Sequence, residues 1–360
     1  MGREGDFIYL KHLATALAIK ALGVGNCALF QRKRKMPVID IHTHSLSDNW
    51  LKLVRERGRP ELEIGKNAKG GEFLVEFGTP SMAFHKAMFD YEQRIRDMDA
   101  EAIDVSVVSL TSPNAFWGTE EISTECARIM NDDMAAAQRY YPDRIRFFAT
   151  LPWEFPEKAA RELERAVQLG AVGVMTLANV RGKFLNDPKF DPIWADVERR
   201  GMPVLIHPTV PPGSERMDLG THSLLGPIGF MFDTTLAIAR MIMDGFFDRY
   251  SDIKVIASHA GGYLPYVSKR MDLFFEKTDS EKQITNLPST YLEQIYYDSI
   301  IYQGDGLQSL INLAGADHVL FGTDYPHAAD IPVLKRLAGA LPSDQAVKVL
   351  GKAAEKIFAL

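Results

Sequence analysis

From Met36 onward, short β-branched apolar runs alternate with longer stretches whose apolar residues recur every three or four positions. The runs Val38–His42, Ile103–Leu110, Ile145–Leu151, Val172–Leu177, Pro203–His207, Ile253–His259, Ile295–Ser299 and His318–Thr323 predict eight strands. They are apolar at nearly every position, as strands buried on both faces are. Helical spacing covers Tyr91–Ala100, Glu121–Tyr140, Pro156–Leu169, Pro192–Arg200, Thr234–Phe247, Leu264–Phe275 and Gly306–Ala314. Strands that alternate with helices in this way predict an α/β fold, a closed parallel (β/α)8 barrel of about 250 core residues. An open doubly wound sheet fits less well, because no Gly-x-Gly-x-x-Gly loop follows the first strand.

Two connections distort the regular pattern. Residues 45–90 are polar and contain Gly65, Gly70, Gly71 and Gly78, which predicts a lid or small β insertion after strand 1. Residues 208–233 contain Pro211-Pro212-Gly213 and Gly226-Pro227 and read as a second loop at the barrel mouth. The chain therefore divides into a barrel over 36–360 and an N-terminal helical extension over 1–35. In the extension, Lys20 and Asn26 interrupt Leu13–Phe30, and the basic cluster Arg32–Lys35 follows it. That order of charge and apolar residues matches neither a signal peptide nor a stable membrane span. The expected role is a peripheral helix, with a membrane-surface anchor as the alternative.

Composition narrows the class of function. A net charge of −6 argues against a protein that tracks nucleic-acid phosphates. The only two cysteines, Cys27 and Cys126, provide no disulfide framework and fit a reducing, cytoplasmic setting. They also offer no zinc-finger spacing, so any metal must be held by nitrogen and oxygen.

The candidate chemistry lies at the strand ends. His42 and His44 are two apart on strand 1 and project from one face. His207 ends strand 5, His259 ends strand 6 and Asp324 follows strand 8. In a closed barrel these C-terminal ends meet on the face where sites are built. Imidazole nitrogen and carboxylate oxygen suit zinc, and a catalytic site leaves one position open for water. His42, His44, His207 and Asp324 are the expected ligands. His259 remains as the acid–base group, because an imidazole exchanges protons near neutral pH, and Asp324 can share that role. His222 and His327 lie on mouth loops and are placed to line the pocket, with His85 in the insertion a weaker candidate. His318 begins strand 8 at the opposite face and is expected to be structural. Phe73, Phe77, Phe84, Phe116 and Trp117 suggest a flat apolar pocket, with Trp117 as a substrate contact.

The motifs Asp40-Ile-His-Thr-His44, Ile206-His-Pro208, Ser258-His-Ala-Gly-Gly262 and Phe321-Gly-Thr-Asp-Tyr-Pro326 resemble the aminocarboxymuconate semialdehyde decarboxylase-like, metal-dependent branch of the amidohydrolase superfamily. The similarity runs from Val38 to the C-terminus and includes Tyr91–Asp99 and Thr234–Phe247. Leu292–Gln308 is also similar to isoorotate decarboxylase. The resemblance implies a TIM barrel with the same four ligands and with His259 as acid–base. Manganese-using relatives often carry Glu at the first His, so His42 implies zinc in preference to manganese. The resemblance also implies a homodimer in which Arg270 reaches the neighbouring site and binds a substrate carboxylate. Two departures concern the substrate. Glu72 to Asp90 contains no Arg where that decarboxylase binds its carboxylate, and His207-Pro-Thr-Val has no Trp after His-Pro.

The expectation is therefore a zinc-dependent decarboxylase, without an organic cofactor, acting on a small aromatic or conjugated unsaturated carboxylic acid. The alternative is a hydrolase in which the same metal activates water against an amide, ester, lactone or C–C-linked carbonyl. A non-catalytic binding protein is the third reading.

Overall fold

The computed structural model describes residues 36–278, 282–327 and 330–360. The N-terminal extension and its basic cluster lie outside the described residues, as do Cys27 and His12.

All eight predicted strands form. They are β1 (Ile39–His44), β2 (Val105–Ser109), β3 (Ile145–Thr150), β4 (Gly173–Leu177), β5 (Pro203–His207), β6 (Lys254–Ala257), β7 (Tyr296–Asp298) and β8 (Val319–Leu320). They pair in parallel in sequence order. Backbone bonds from Ile41 N to Phe321 O (2.9 Å) and Asp324 N to His42 O (2.7 Å) join the last strand to the first and close the barrel. Every residue of β1, β4 and β5 is buried, which accounts for the nearly continuous apolar reading of β4 and β5.

The outer helices are α1 (Tyr91–Ala100), α2 (Glu120–Tyr140), α3 (Pro156–Gln168), α4 (Asp191–Arg199), α5 (Phe230–Met243), α6 (Leu264–Lys277), α7 (Gly304–Ala314) and α8 (Ile331–Gly339). Their starts follow local chemistry. Asp90 and Asp330 accept amide bonds at the heads of α1 and α8, and Pro occupies the first turn of α3, α4 and α6. Trp153, Trp194 and Phe246 interlock edge to face at 4.8 and 4.9 Å between barrel and helices. Each such pair adds about 1 kcal/mol beyond the area it buries.

The insertion after β1 is a helix, Asp48–Arg57, followed by a three-stranded antiparallel sheet of Leu62–Lys66, Glu72–Glu76 and Thr79–Ala83. Its arginines are committed to surface ion pairs, Arg55 with Glu72, Arg57 with Glu121 and Glu125, and Arg59 with Glu63. Its aromatics mostly pack on the insertion itself or point outward. Phe84 meets Trp50 and Phe89 edge to face, and Phe77 is exposed.

Leu225–Met243 is the one helical segment among the described residues that is long and apolar enough to cross a membrane. It packs on the barrel through Ala237, Ile238, Met241 and Ile242, which are buried. His318 sits in the turn just before β8 and its Nδ1 donates to Glu293 O at 2.8 Å, at the start of the strand and away from the strand ends that carry the site.

Candidate metal centre

Relative to β2, β1 carries one extra residue between Asp40 and Thr43. Such a bulge re-aims side chains and frees an amide. The freed His42 N–H is taken by the buried Asp40 carboxylate (3.2 Å), which also accepts from Thr323 N (3.1 Å) and Thr323 Oγ1 (2.7 Å). Asp40 thus locks the first strand to the last at the level of the site, and burial pushes its carboxyl up to about 7.

His42, His44, His207 and Asp324 converge, with one ligand atom from each lying within 4.8 Å of all the others. The His42 and His44 Nε2 atoms are 3.1 Å apart, and His44 Nε2 is 3.1 Å from Asp324 Oδ1. The rings stand edge-on to one another, with centroids at 5.0, 5.1 and 4.7 Å for the three pairs among His42, His44 and His207.

The opposite ring edges explain what these nitrogens offer. His42 Nδ1 faces the Asp298 carboxylate at 2.6 Å, and His207 Nδ1 faces Pro208 O at 2.8 Å. Both partners only accept, so both Nδ1 atoms must carry the proton. Ser109 Oγ donates to Thr43 O (3.3 Å), which leaves it to accept from His44 Nδ1 at 3.1 Å. All three Nε2 atoms therefore present lone pairs to one point, beside a carboxylate oxygen that has no hydrogen-bond donor. Three lone pairs and an anion held together in a buried space fit a divalent cation. Bonds of about 2.1 Å to one ion would separate ligand atoms by about 3–4 Å.

The protonation states of His44 and His207 agree with this, whereas at His42 the hydrogen bond and charge of Asp298 outweigh burial and raise the imidazole. Burial pushes His44 down to about 3 and His207 well below the ordinary imidazole value, keeping both neutral. Burial also opposes charge on Asp324, but the adjacent imidazoles of His259, His44 and His42 outweigh that and hold the carboxyl well below the usual range.

Arg94, fully buried in α1, braces the strand end from behind. It donates to Thr43 Oγ1 (2.6 Å) and to His44 O, and its guanidinium lies 4.8 Å above the Tyr325 ring. Sequence reasoning alone does not reach Asp298 or Arg94 as site residues. The available signals are a carboxylate at a barrel strand's C-terminal end for Asp298 and the family-like segment Tyr91–Asp99 for Arg94.

His259 lies beside the four ligands, with its ring centroid 4.9 Å from that of His42 and Nε2 3.7 Å from Asp324 Oδ2. Its Nδ1 is buried without a partner. His259 and Asp324 have positive φ, 51° and 62°, a conformation that costs energy in a non-glycine residue and persists where the surroundings hold it. The His327 ring is 5.3 Å from that of His44, and its Nε2 is also buried and unpartnered. His222 is exposed on the turn Thr221–Ser223 and is not brought against the cluster. Trp117 is fully buried and its indole N–H faces the Cys126 thiol, as does that of Trp50; the structure gives it a core position. Arg270 is exposed on α6, stacked 4.7 Å over the Phe274 ring.

An amidohydrolase family model matches residues 39–360. The chain belongs to the amidohydrolase family. Among curated relatives, it is 30% identical over 294 residues to a 2-amino-3-carboxymuconate-6-semialdehyde decarboxylase of Dictyostelium discoideum, covering 80% of this chain and 81% of that one. It is 32% identical over 258 residues to a gamma-resorcylate decarboxylase of Polaromonas sp. strain JS666, covering 66% and 79%. Among solved structures, a dihydroxybenzoic acid decarboxylase from Polaromonas sp. JS666, with bound manganese and the inhibitor 2-nitroresorcinol, aligns with a TM-score of 0.76 at 25% identity, over 91% of this chain and 98% of that one. A 5-carboxyvanillate decarboxylase of Sphingomonas paucimobilis shares the fold, with a TM-score of 0.80 at 23% identity, over 91% and 100%. This amidohydrolase is a carboxy-lyase, a metal-dependent decarboxylase, and its four His and Asp groups fit a divalent ion.

Proposed function

We propose that the chain decarboxylates a small aromatic acid, using zinc held by His42, His44, His207 and Asp324, with His259 as the proton donor. The observation that carries this reading is the unpartnered, buried Nδ1 of His259 next to a complete set of four ligand atoms. The relatives named above act on resorcylate-type, carboxyvanillate-type and carboxymuconate-type acids, and these support a planar, conjugated substrate. Phe230, its ring 6.4 Å from that of His207, offers an apolar wall of the required shape. Three imidazole nitrogens favour zinc; manganese, present in the Polaromonas relative, is the competing ion.

When bound, the ion supplies Lewis-acid stabilisation of a substrate oxygen as charge develops. The protein supplies the rest. The bond between the ring carbon and the carboxylate carbon breaks, its electron pair stays on the ring carbon, and CO₂ leaves. His259 then delivers a proton to that carbon, forming the C–H bond. Asp324, 3.7 Å from His259 Nε2, keeps the ring oriented and shares the acid–base duty. His327 contributes its free Nε2 beside His44, and His222, exposed on the loop after β5 and away from the ligand cluster, is left as a contact for the outer part of the substrate.

Arg270 is assigned to a substrate carboxylate across a homodimer. An exposed apolar strip on α6, Tyr266, Leu273 and Phe274, flanks it and supports that face as the contact between copies. The cysteine usage supports a cytoplasmic setting, the described Cys126 being a free thiol. The test is His259→Ala. Turnover should fall to background while the metal content stays at the wild-type level. Intact turnover would remove His259 from the mechanism.

A further inference from the structure

One buried carboxylate touches both halves of the site, and neither the ligand set nor the acid–base assignment accounts for it. Asp298, at the end of β7, is fully buried and accepts four hydrogen bonds. Oδ2 takes His42 Nδ1 (2.6 Å) and the His259 backbone N–H (2.7 Å). Oδ1 takes the backbone N–H groups of Ala260 (2.8 Å) and Ile300 (3.0 Å). We infer that Asp298 is a positioning residue that sets the metal ligand His42 and the proton donor His259 together, so that metal binding and proton delivery are coupled through one side chain. This rests on the decarboxylase reading for its catalytic half only.

Two consecutive left-handed residues, His259 (φ 51°) and Ala260 (φ 55°), form the turn that presents the His259 ring. Neither is glycine, so the turn persists only because its surroundings over-determine it. The Asp298 carboxylate is bonded to both amides of that turn. The same carboxylate fixes the proton on His42 Nδ1 and so leaves Nε2 free to ligate. The arrangement has no slack. A Cβ on Gly322 would come within 3.0 Å of His42 Cβ and 3.2 Å of Asp298 Cβ, so even one added methyl there would have to displace them.

An Asn at this position keeps the shape but turns one acceptor oxygen into a donor, leaving at least one of the four N–H groups unsatisfied. The experiment uses the full chain carrying Asp298→Asn, stripped and reloaded with zinc or manganese. Metal affinity is read by competition with a chelator, and kcat and KM are read at saturating metal. The expected result is a loss in metal affinity of about 10- to 100-fold. At saturating metal, kcat should stay at least about tenfold low with KM little changed, because the His259 turn has lost its anchor. Full recovery of kcat at saturating metal would overturn the coupling and confine Asp298 to metal binding. Wild-type metal affinity would overturn the positioning of His42.

Hydrogen exchange at the His259 and Ala260 amides of the wild-type protein gives a second reading that does not depend on the variant folding. Protection should rise when metal binds, and unchanged protection overturns the coupling. If the wild type proves inactive as a decarboxylase while the affinity and exchange results hold, the functional reading fails and the positioning of His42 and the turn stands.

Discussion

Asp233→Asn isolates the electrostatics of the wall behind His207. Asp233 sits in the first turn of α5, is 2% exposed, and accepts from Thr209 N (2.9 Å) and from Asn179 Nδ2 (3.2 and 3.3 Å). It ties the loop after β5 to the one after β4. No cation pairs with it among the described residues, and burial pushes its carboxyl up from 3.8 to about 6 despite those bonds. The folded protein therefore keeps a proton between pH 3.8 and 6 that the unfolded chain has released. Stability falls as pH rises through that window, by about 3 kcal/mol in all. The substituted amide has the shape of the protonated acid and does not titrate. The variant should match wild type within about 1 kcal/mol near pH 4 and exceed it by about 2–3 kcal/mol at pH 7.5. Asp40, held at about 7, titrates in both proteins and cancels in the comparison. Urea unfolding at the two pH values reads the effect, as a rise of about 0.5–1 M in the variant's midpoint at pH 7.5. Equal midpoints at pH 7.5, or a variant less stable there, would refute the reasoning that burial outweighs the three bonds.

Further predictions concern the site and its supports. Gly322→Ala forces His42 and Asp298 apart by a few tenths of an ångström, and should cost about 1–3 kcal/mol and weaken metal binding measured by chelator competition. Arg94→Met leaves Thr43 and His44 O without their buried donor and should lower stability by about 3 kcal/mol or more in urea unfolding. Burial pushes the Cys126 thiol up to about 12, so it should resist alkylation at pH 8 in the folded protein and react once urea unfolds it. Metal at about a thousand times its Kd should stabilise the protein by about 4 kcal/mol, visible as a drop in melting temperature on chelation.

Much of this architecture is legible in the sequence because barrel strands advertise themselves. Strands such as Pro203–His207, apolar on both faces up to the closing His, have no other reading once helices separate them. The five strand-end residues are equally visible, since His and Asp are rare at the close of an apolar run. The supporting groups are not. Asp298 ends a three-residue strand, and nothing local shows that its partners are His42, His259 and Ala260. Arg94 looks like any charged position on an amphipathic helix, although it points into the barrel wall. The β1 bulge depends on register with β2, which a single strand's sequence does not carry. Trp117 shows the opposite failure: an aromatic residue near the mouth in sequence, it is consumed by packing beside Cys126.

The central claim is metal-dependent loss of CO₂ from an aromatic acid. The direct measurement is CO₂ released from a panel of hydroxybenzoates, carboxyvanillate and ring-cleavage acids by enzyme that is metal-loaded, chelator-stripped, and stripped then reloaded with zinc. The account predicts CO₂ from at least one aromatic acid with loaded enzyme, none after stripping, and recovery on adding zinc. Hydrolysis of a lactone or amide panel by the loaded enzyme, with no CO₂ from any acid, would contradict it.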